Sequence, residues 1–121
     1  MELQQENSVM SINFVTLYND FIHSLDGTDS YVELKNGLSL LIIEDKNNAA
    51  MYYTLYGFAH SYVQLYSDQP VTPDFARRAK LELQGYLSRA LPALTDNSSP
   101  ENSWNVLNEI IDSYTNSKKI F

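Results

Sequence analysis

The chain has no cysteine, which removes a disulfide framework, a thiol nucleophile and thiolate metal ligation together. It has two histidines, His23 and His60, and no H-E-x-x-H or related spacing joins them into a metal-binding unit. The four glycines stand isolated at positions 27, 37, 57 and 85, so no glycine-rich loop is on hand to cradle a phosphate. No serine sits in a G-x-S-x-G elbow, and no Ser, His and Asp trio is spaced as a triad. Long apolar runs are also missing. The longest, Leu38 to Ile43, is broken by Ser39 and falls far short of the ~20 residues that span a bilayer. The first eight residues lack the basic and apolar regions of a secretory signal. The expectation is a soluble cytoplasmic protein without metal or cofactor, not membrane-bound and not an enzyme.

Basic residues are scarce as well: Lys and Arg number 8 against 15 acids, for a net charge of −7. Residues 1–76 hold ten acids against Lys35 and Lys46, whereas residues 77–89 gather Arg77, Arg78, Lys80 and Arg89 around the single acid Glu82. An acidic field of this size repels phosphate backbones and speeds encounter with basic partners.

What the chain does have is periodicity. Its 121 residues fit one domain, 1–121, large enough to bury about two-thirds of the surface it exposes when unfolded. Five of the nine tyrosines fall between Asn48 and Asp68. There Met51, Leu55, Phe58, Tyr62 and Leu65 form one stripe at helical spacing, and Tyr52, Tyr56, Ala59, Val63 and Tyr66 a second beside it. Together they cover about half the circumference, the mark of a helix with neighbours on two sides. Asp45 or Asn47 is placed to cap it.

Around this rod, Ser8 or Ser11 is placed to cap a first helix carrying Val9, Ile12, Val15, Tyr18, Ile22 and Leu25, flanked by Phe14, Leu17 and Phe21. Asp26 to Ser30 ends it, with Gly27 suited to a left-handed position. Residues 31–45 satisfy two local rules at once. Asn36-Gly37 is a hairpin signal, while Ser30 and Glu33 form a capping box and Tyr31, Leu34, Leu38, Leu41 and Ile42 a helical stripe. Helix is favoured, since an isolated two-stranded hairpin lacks support. Thr72-Pro73-Asp74 starts another helix, with Phe75, Ala79, Leu83, Tyr86 and Ala90 inward and Pro92 expected to kink or end it near Leu91. The loop Asp96 to Ser99 and a second Ser-Pro-Glu start lead to a last helix whose inner face reads Trp104, Leu107, Ile111 and Tyr114. The expected fold is an all-α bundle of four to five amphipathic helices, with α+β carrying a β-hairpin at about 31–43 as the alternative.

Three functions compete. The first is a small acidic binding protein, an inhibitor or immunity protein that docks on and neutralises a basic partner such as a nuclease toxin. Asp20, Asp26, Asp29, Glu33, Glu44 and Asp45 are its candidate contacts, with Tyr53 as aromatic anchor. The second is a helical homo-oligomeric adaptor, a homodimer for example, joined through the apolar excess of Leu38 to Ile43 or through the last helix. The third is a nucleic-acid-binding regulator using Arg77, Arg78 and Lys80. That last island is small in an acidic chain, and Arg78 with Glu82 is spaced as an ordinary intrahelical pair. Direct nucleic-acid contact is therefore not expected.

Overall fold

The computed structural model describes residues 13–95 and 99–121. Among them are five α-helices and no strand: α1 (Phe14–Ile22), α2 (Thr28–Glu44), α3 (Ala49–Tyr66), α4 (Pro73–Thr95) and α5 (Pro100–Thr115), with a single 3₁₀ turn, Lys46–Asn48, between α2 and α3. The chain is an all-α bundle, and the hairpin alternative is overturned by α2. Tyr31, Leu34, Leu38 and Leu41 are all buried along one side of that helix against α3, a burial period no hairpin offers.

α3 is the buried rod that its two stripes predict. Met51, Tyr52, Leu55, Phe58, Ala59 and Tyr62 are enclosed, while Leu65, at the end of the first stripe, is 51% exposed, the last turn placing Tyr66 of the second stripe against Phe75. Aromatic rings tie the other elements to it. Tyr31 of α2 stacks on Tyr62 at 4.0 Å, Phe21 of α1 meets Tyr31 edge-on at 5.2 Å, and Phe58 contacts Tyr86 of α4 and Tyr114 of α5, each at 5.0 Å. Such pairs contribute roughly 0.5–1.5 kcal/mol each beyond their buried area.

Several local expectations fail for identifiable reasons. Ser8, Ser11, Val9 and Ile12 lie outside the described residues, as do Asp96 to Ser98. Asn13 caps α1, accepting the Thr16 amide at 2.9 Å. The inner face of α1 is the supposed flank, Phe14, Leu17 and Phe21; Val15 is 41% exposed, and Leu25 lies beyond the helix end and is 85% exposed. Gly27 has φ −81° and is the N-cap of α2, with no left-handed conformation. The capping box does not form, because the Ser30 hydroxyl donates backward to the Leu25 carbonyl at 2.6 Å. Neither Asp45 nor Asn47 caps α3: its N-cap is Asn48, and Asp45 instead accepts hydrogen bonds from Asn48 Nδ2 and the Tyr52 hydroxyl at 2.9 and 2.8 Å.

α4 starts as predicted, the Thr72 hydroxyl accepting the Phe75 amide at 3.1 Å, but it runs through Pro92 to Thr95, with Ala93 buried beyond the proline. In α5, capped by Ser99, the inner residues are Leu107 and Ile110; Trp104 is 58% and Ile111 42% exposed. The segment after α5 also joins the core. Lys119 adopts a left-handed conformation (φ 58°) that turns Ile120 and Phe121 back onto the bundle. There the Tyr66 hydroxyl donates to the Ile120 carbonyl at 3.1 Å, the Tyr114 hydroxyl donates to the Phe121 main-chain oxygen at 2.5 Å, and the Phe121 ring packs on Phe58 and Tyr62.

Gly37 sits buried inside α2 where α1 crosses it. A Cβ there would come within 2.4 Å of Leu17 Cδ2 and 2.8 Å of Cδ1. Gly37→Ala is expected to lose about 1 kcal/mol net, the overpacking cost of roughly 1–3 kcal/mol exceeding the ~1 kcal/mol gain in helix propensity. Gly85 in α4 has nothing within 4 Å of the same atom, so Gly85→Ala should gain up to about 1 kcal/mol. Urea melts of the two variants, opposite in sign, check this.

Candidate partner-binding surface

The surface begins with a corner. α1 ends at Ile22, and the chain must reverse over residues 23–27 to start α2, leaving carbonyls without helical partners. Lys80 of α4 fills that need. Its Nζ donates to the Ser24 carbonyl, to Ser24 Oγ at 3.1 Å and to the Leu25 carbonyl at 3.1 Å, lies 3.7 Å from Asp26 Oδ1, and sits 5.2 Å above the Phe21 ring. The residue is 5% exposed. Burial lowers its pKa, and Asp26 opposes that shift. Lys80 therefore does not stand beside Arg77 and Arg78 as a surface base. Arg78 pairs with Asp74 at 3.3 Å, and Glu82 accepts from the Tyr86 hydroxyl at 2.5 Å in place of the expected Arg78 pairing.

The corner sets the direction of α2. The exposed residues of that helix are Asp29, Glu33, Asn36, Leu40, Ile43 and Glu44. At 100° per residue these six fall within an arc of about 100°, so three carboxylates and two apolar side chains, Leu40 (48% exposed) and Ile43 (66%), share one strip. Asp29 also lies in the first turn, where the helix dipole favours it. Beside the strip, α1 and α2 leave a groove of about 300 Å³ that brings Asp20 together with Glu33 over Leu17, Phe21, Leu34 and Gly37.

The other candidates from the sequence lie elsewhere or are engaged. Asp26, exposed, faces Lys80; Asp45 is half-buried and holds the turn before α3. Tyr53 is 65% exposed on α3, stacked on Tyr56, which stacks in turn on His60. Asn36, Leu40 and Ile43 were not named with the acids. The wheel of residues 28–44 gathers them once the segment is taken as helix. Lys80 had a signal too: it falls four residues after Ala76 and three before Leu83, on the inner side of its helix.

Charge separates along the chain in the same way. Residues 13–45 carry six acids against Lys35, whereas residues 46–121 carry seven acids against seven bases. A second groove, of about 710 Å³, opens between α3, α4 and α5 over Met51, Ala93 and Leu107, with Trp104 at its rim. Among the described residues, none that lines it is charged. Among the described residues no group of three His, Asp or Glu side chains is placed to hold a metal ion, and no helix is long and apolar enough to cross a membrane. Comparison with protein-family models, with curated proteins and with solved structures found no match to this chain.

Proposed function

We infer that this is a small acidic cytoplasmic protein that works by binding and not by catalysis, an inhibitor or immunity protein that docks through the outer face of α2 and the α1–α2 groove onto a basic protein such as a nuclease toxin. One observation carries the reading: the acid surplus of the described chain belongs to residues 13–45, and within it Asp29, Glu33 and Glu44 align with exposed Leu40 and Ile43. A purely solubilising surface has no need to interleave its acids with exposed aliphatic residues, whereas an interface uses charge for fast, steered encounter and apolar contact for slow release. Asp20 and Glu33 flank a groove of a size to take a lysine or arginine side chain, the stem over Leu17 and Leu34 and the head between carboxylates.

The test is capture from the source cell on immobilised protein, with a triple variant Asp29→Lys, Glu33→Lys, Glu44→Lys as control. The expected result is a basic protein retained by the native chain, released by salt, and weakened at least a hundredfold in affinity by the triple variant. Retention that is indifferent to both salt and charge reversal contradicts the assignment.

A further inference from the structure

Two hydroxyls line the α1–α2 groove, those of Ser24 and Ser30, and both have their protons committed within the protein. Ser24 Oγ donates to the Phe21 carbonyl at 2.7 Å, and Ser30 Oγ, on a residue only 9% exposed, donates to the Leu25 carbonyl at 2.6 Å. A hydroxyl has one proton to donate and two lone pairs to accept with, and a carbonyl cannot donate, so toward the groove both oxygens can only accept. Asp20 stands on the α1 wall and Glu33 on the α2 wall, and among the described residues no hydrogen bond or ion pair engages either carboxylate. The Asn36 amide can turn its oxygen the same way. Such a lining calls for a cation with many N–H donors. We propose that the groove is an arginine anchor, which takes the guanidinium of one arginine on the basic protein partner and discriminates against lysine. The proposal rests on the docking reading of the α2 face and adds to it the side chain that is recognised.

Three physical differences favour a guanidinium over an ammonium here. Its planar fork of donors reaches acceptors on opposite walls at once, whereas the donors of an ammonium diverge from a single nitrogen. It is also the more weakly hydrated cation, so it gives up less on leaving water, and its stem packs on the apolar floor of Leu17, Phe21 and Leu34. The third difference comes from Lys80, which lies beneath the Ser24 end. Its Nζ donates to Ser24 Oγ at 3.1 Å, and Asp26, 3.7 Å from Nζ, balances its charge. A second compact ammonium beside Lys80 meets a concentrated like charge, while a guanidinium spreads its charge over the whole group. With Lys80 and Asp26 offsetting each other, the charge left facing the ligand is that of Asp20 and Glu33. A space of about 300 Å³ suits one side chain and not a whole helix. Leu40, two turns along α2 from Glu33 and also on the groove, then meets an aliphatic neighbour of that arginine.

The test titrates the isotope-labelled full chain at low salt with two peptides, acetyl-Ala-Arg-Ala-amide and acetyl-Ala-Lys-Ala-amide, and follows amide chemical shifts. The expected result is saturable shifts at Asp20, Ser30, Glu33 and Asn36, with the arginine peptide bound about fivefold more tightly than the lysine peptide. Asp20→Asn, at an exposed position with no partner to lose, should abolish that preference while leaving the fold intact by circular dichroism. Asp29→Asn, on the same face but off the groove, lowers the affinity for both peptides alike and keeps the preference. Equal or tighter binding of the lysine peptide, no saturable shift from either peptide, or a preference that survives Asp20→Asn overturns the proposal. The first and last of these leave charge-dependent capture on α2 standing. An arginine preference that holds while partner capture proves indifferent to charge reversal supports the groove and removes only the docking reading.

Discussion

Replacing Lys80 with methionine is expected to cost about 3 kcal/mol of folding stability and to loosen the start of α2. Methionine keeps most of the stem that packs on Phe21 but supplies no donor, so the Ser24 and Leu25 carbonyls and the Asp26 carboxylate lose their shared cation. Hydrogen bonds from a charged donor contribute roughly 1.5–3 kcal/mol each, and part of that loss is recovered because desolvating the ammonium is no longer necessary. Lys80→Arg should not rescue it, since the longer planar group does not fit a pocket shaped for a point charge. Denaturant titration gives the loss. Hydrogen exchange should localise the excess opening to residues 23–33, and uniform opening across the bundle would speak against a corner held by Lys80.

The second large effect is alkaline unfolding. Tyr31, Tyr52, Tyr62 and Tyr86 are all buried, and each has its pKa raised above the ordinary 10.0, chiefly by burial. Carboxylates add to the shift where Tyr52 donates to Asp45 and Tyr86 to Glu82. The native state thus holds phenolic protons that the unfolded chain gives up. This contribution is fully present below about pH 10 and is lost as pH rises toward the folded-state values. From about pH 10 to pH 11 each such tyrosine withdraws about 1 kcal/mol.

Lys80 acts in the opposite sense. Its folded-state pKa is lowered, so the unfolded chain binds the extra proton and stability rises with pH up to about 10.5, by at most about 1 kcal/mol over the same interval. The net expectation is a loss of about 3 kcal/mol between about pH 10 and 11, read from urea melts and from a cooperative rise in tyrosinate absorbance at the unfolding point. Tyr31 supplies an internal control. Its hydroxyl is buried without a hydrogen-bond partner, so Tyr31→Phe should hold or raise stability at neutral pH by up to about 1 kcal/mol and make the alkaline loss shallower.

The parts of the fold that follow from local pattern were legible in the sequence. The double stripe of α3, the Thr72-Pro73 and Ser99-Pro100 starts, and the helical period of residues 31–42 each reflect short-range rules that the tertiary structure leaves intact. What was not legible depends on distant residues. Which of two adjacent stripes in α1 and α5 turns inward is decided by neighbours. The return of Ile120 and Phe121 onto Phe58, Tyr62, Tyr66 and Tyr114 adds to the core from beyond the last helix, and no local signal announces it. Gly37 reads as a turn residue in isolation, yet it is needed as a helical contact for Leu17.

The candidate surface divides in the same manner. Asp29, Glu33 and Glu44 follow from the helix period alone. Asp20 joins them only because α1 folds across α2, and Asp26 and Asp45 are drawn into structural roles by Lys80, Asn48 and Tyr52. Tyr53 belongs to the uncharged helix α3 and not to the acidic strip.

The most direct test of an acidic, part-apolar docking strip is amide chemical-shift mapping on the isotope-labelled full chain, titrated with a short amphipathic peptide of alternating lysine and leucine faces. The strip predicts shifts concentrated at Asp20, Asp29, Glu33, Asn36, Leu40, Ile43 and Glu44 that fade as salt is raised. Shifts spread evenly over all acids, or centred on Trp104 and α5, would contradict it.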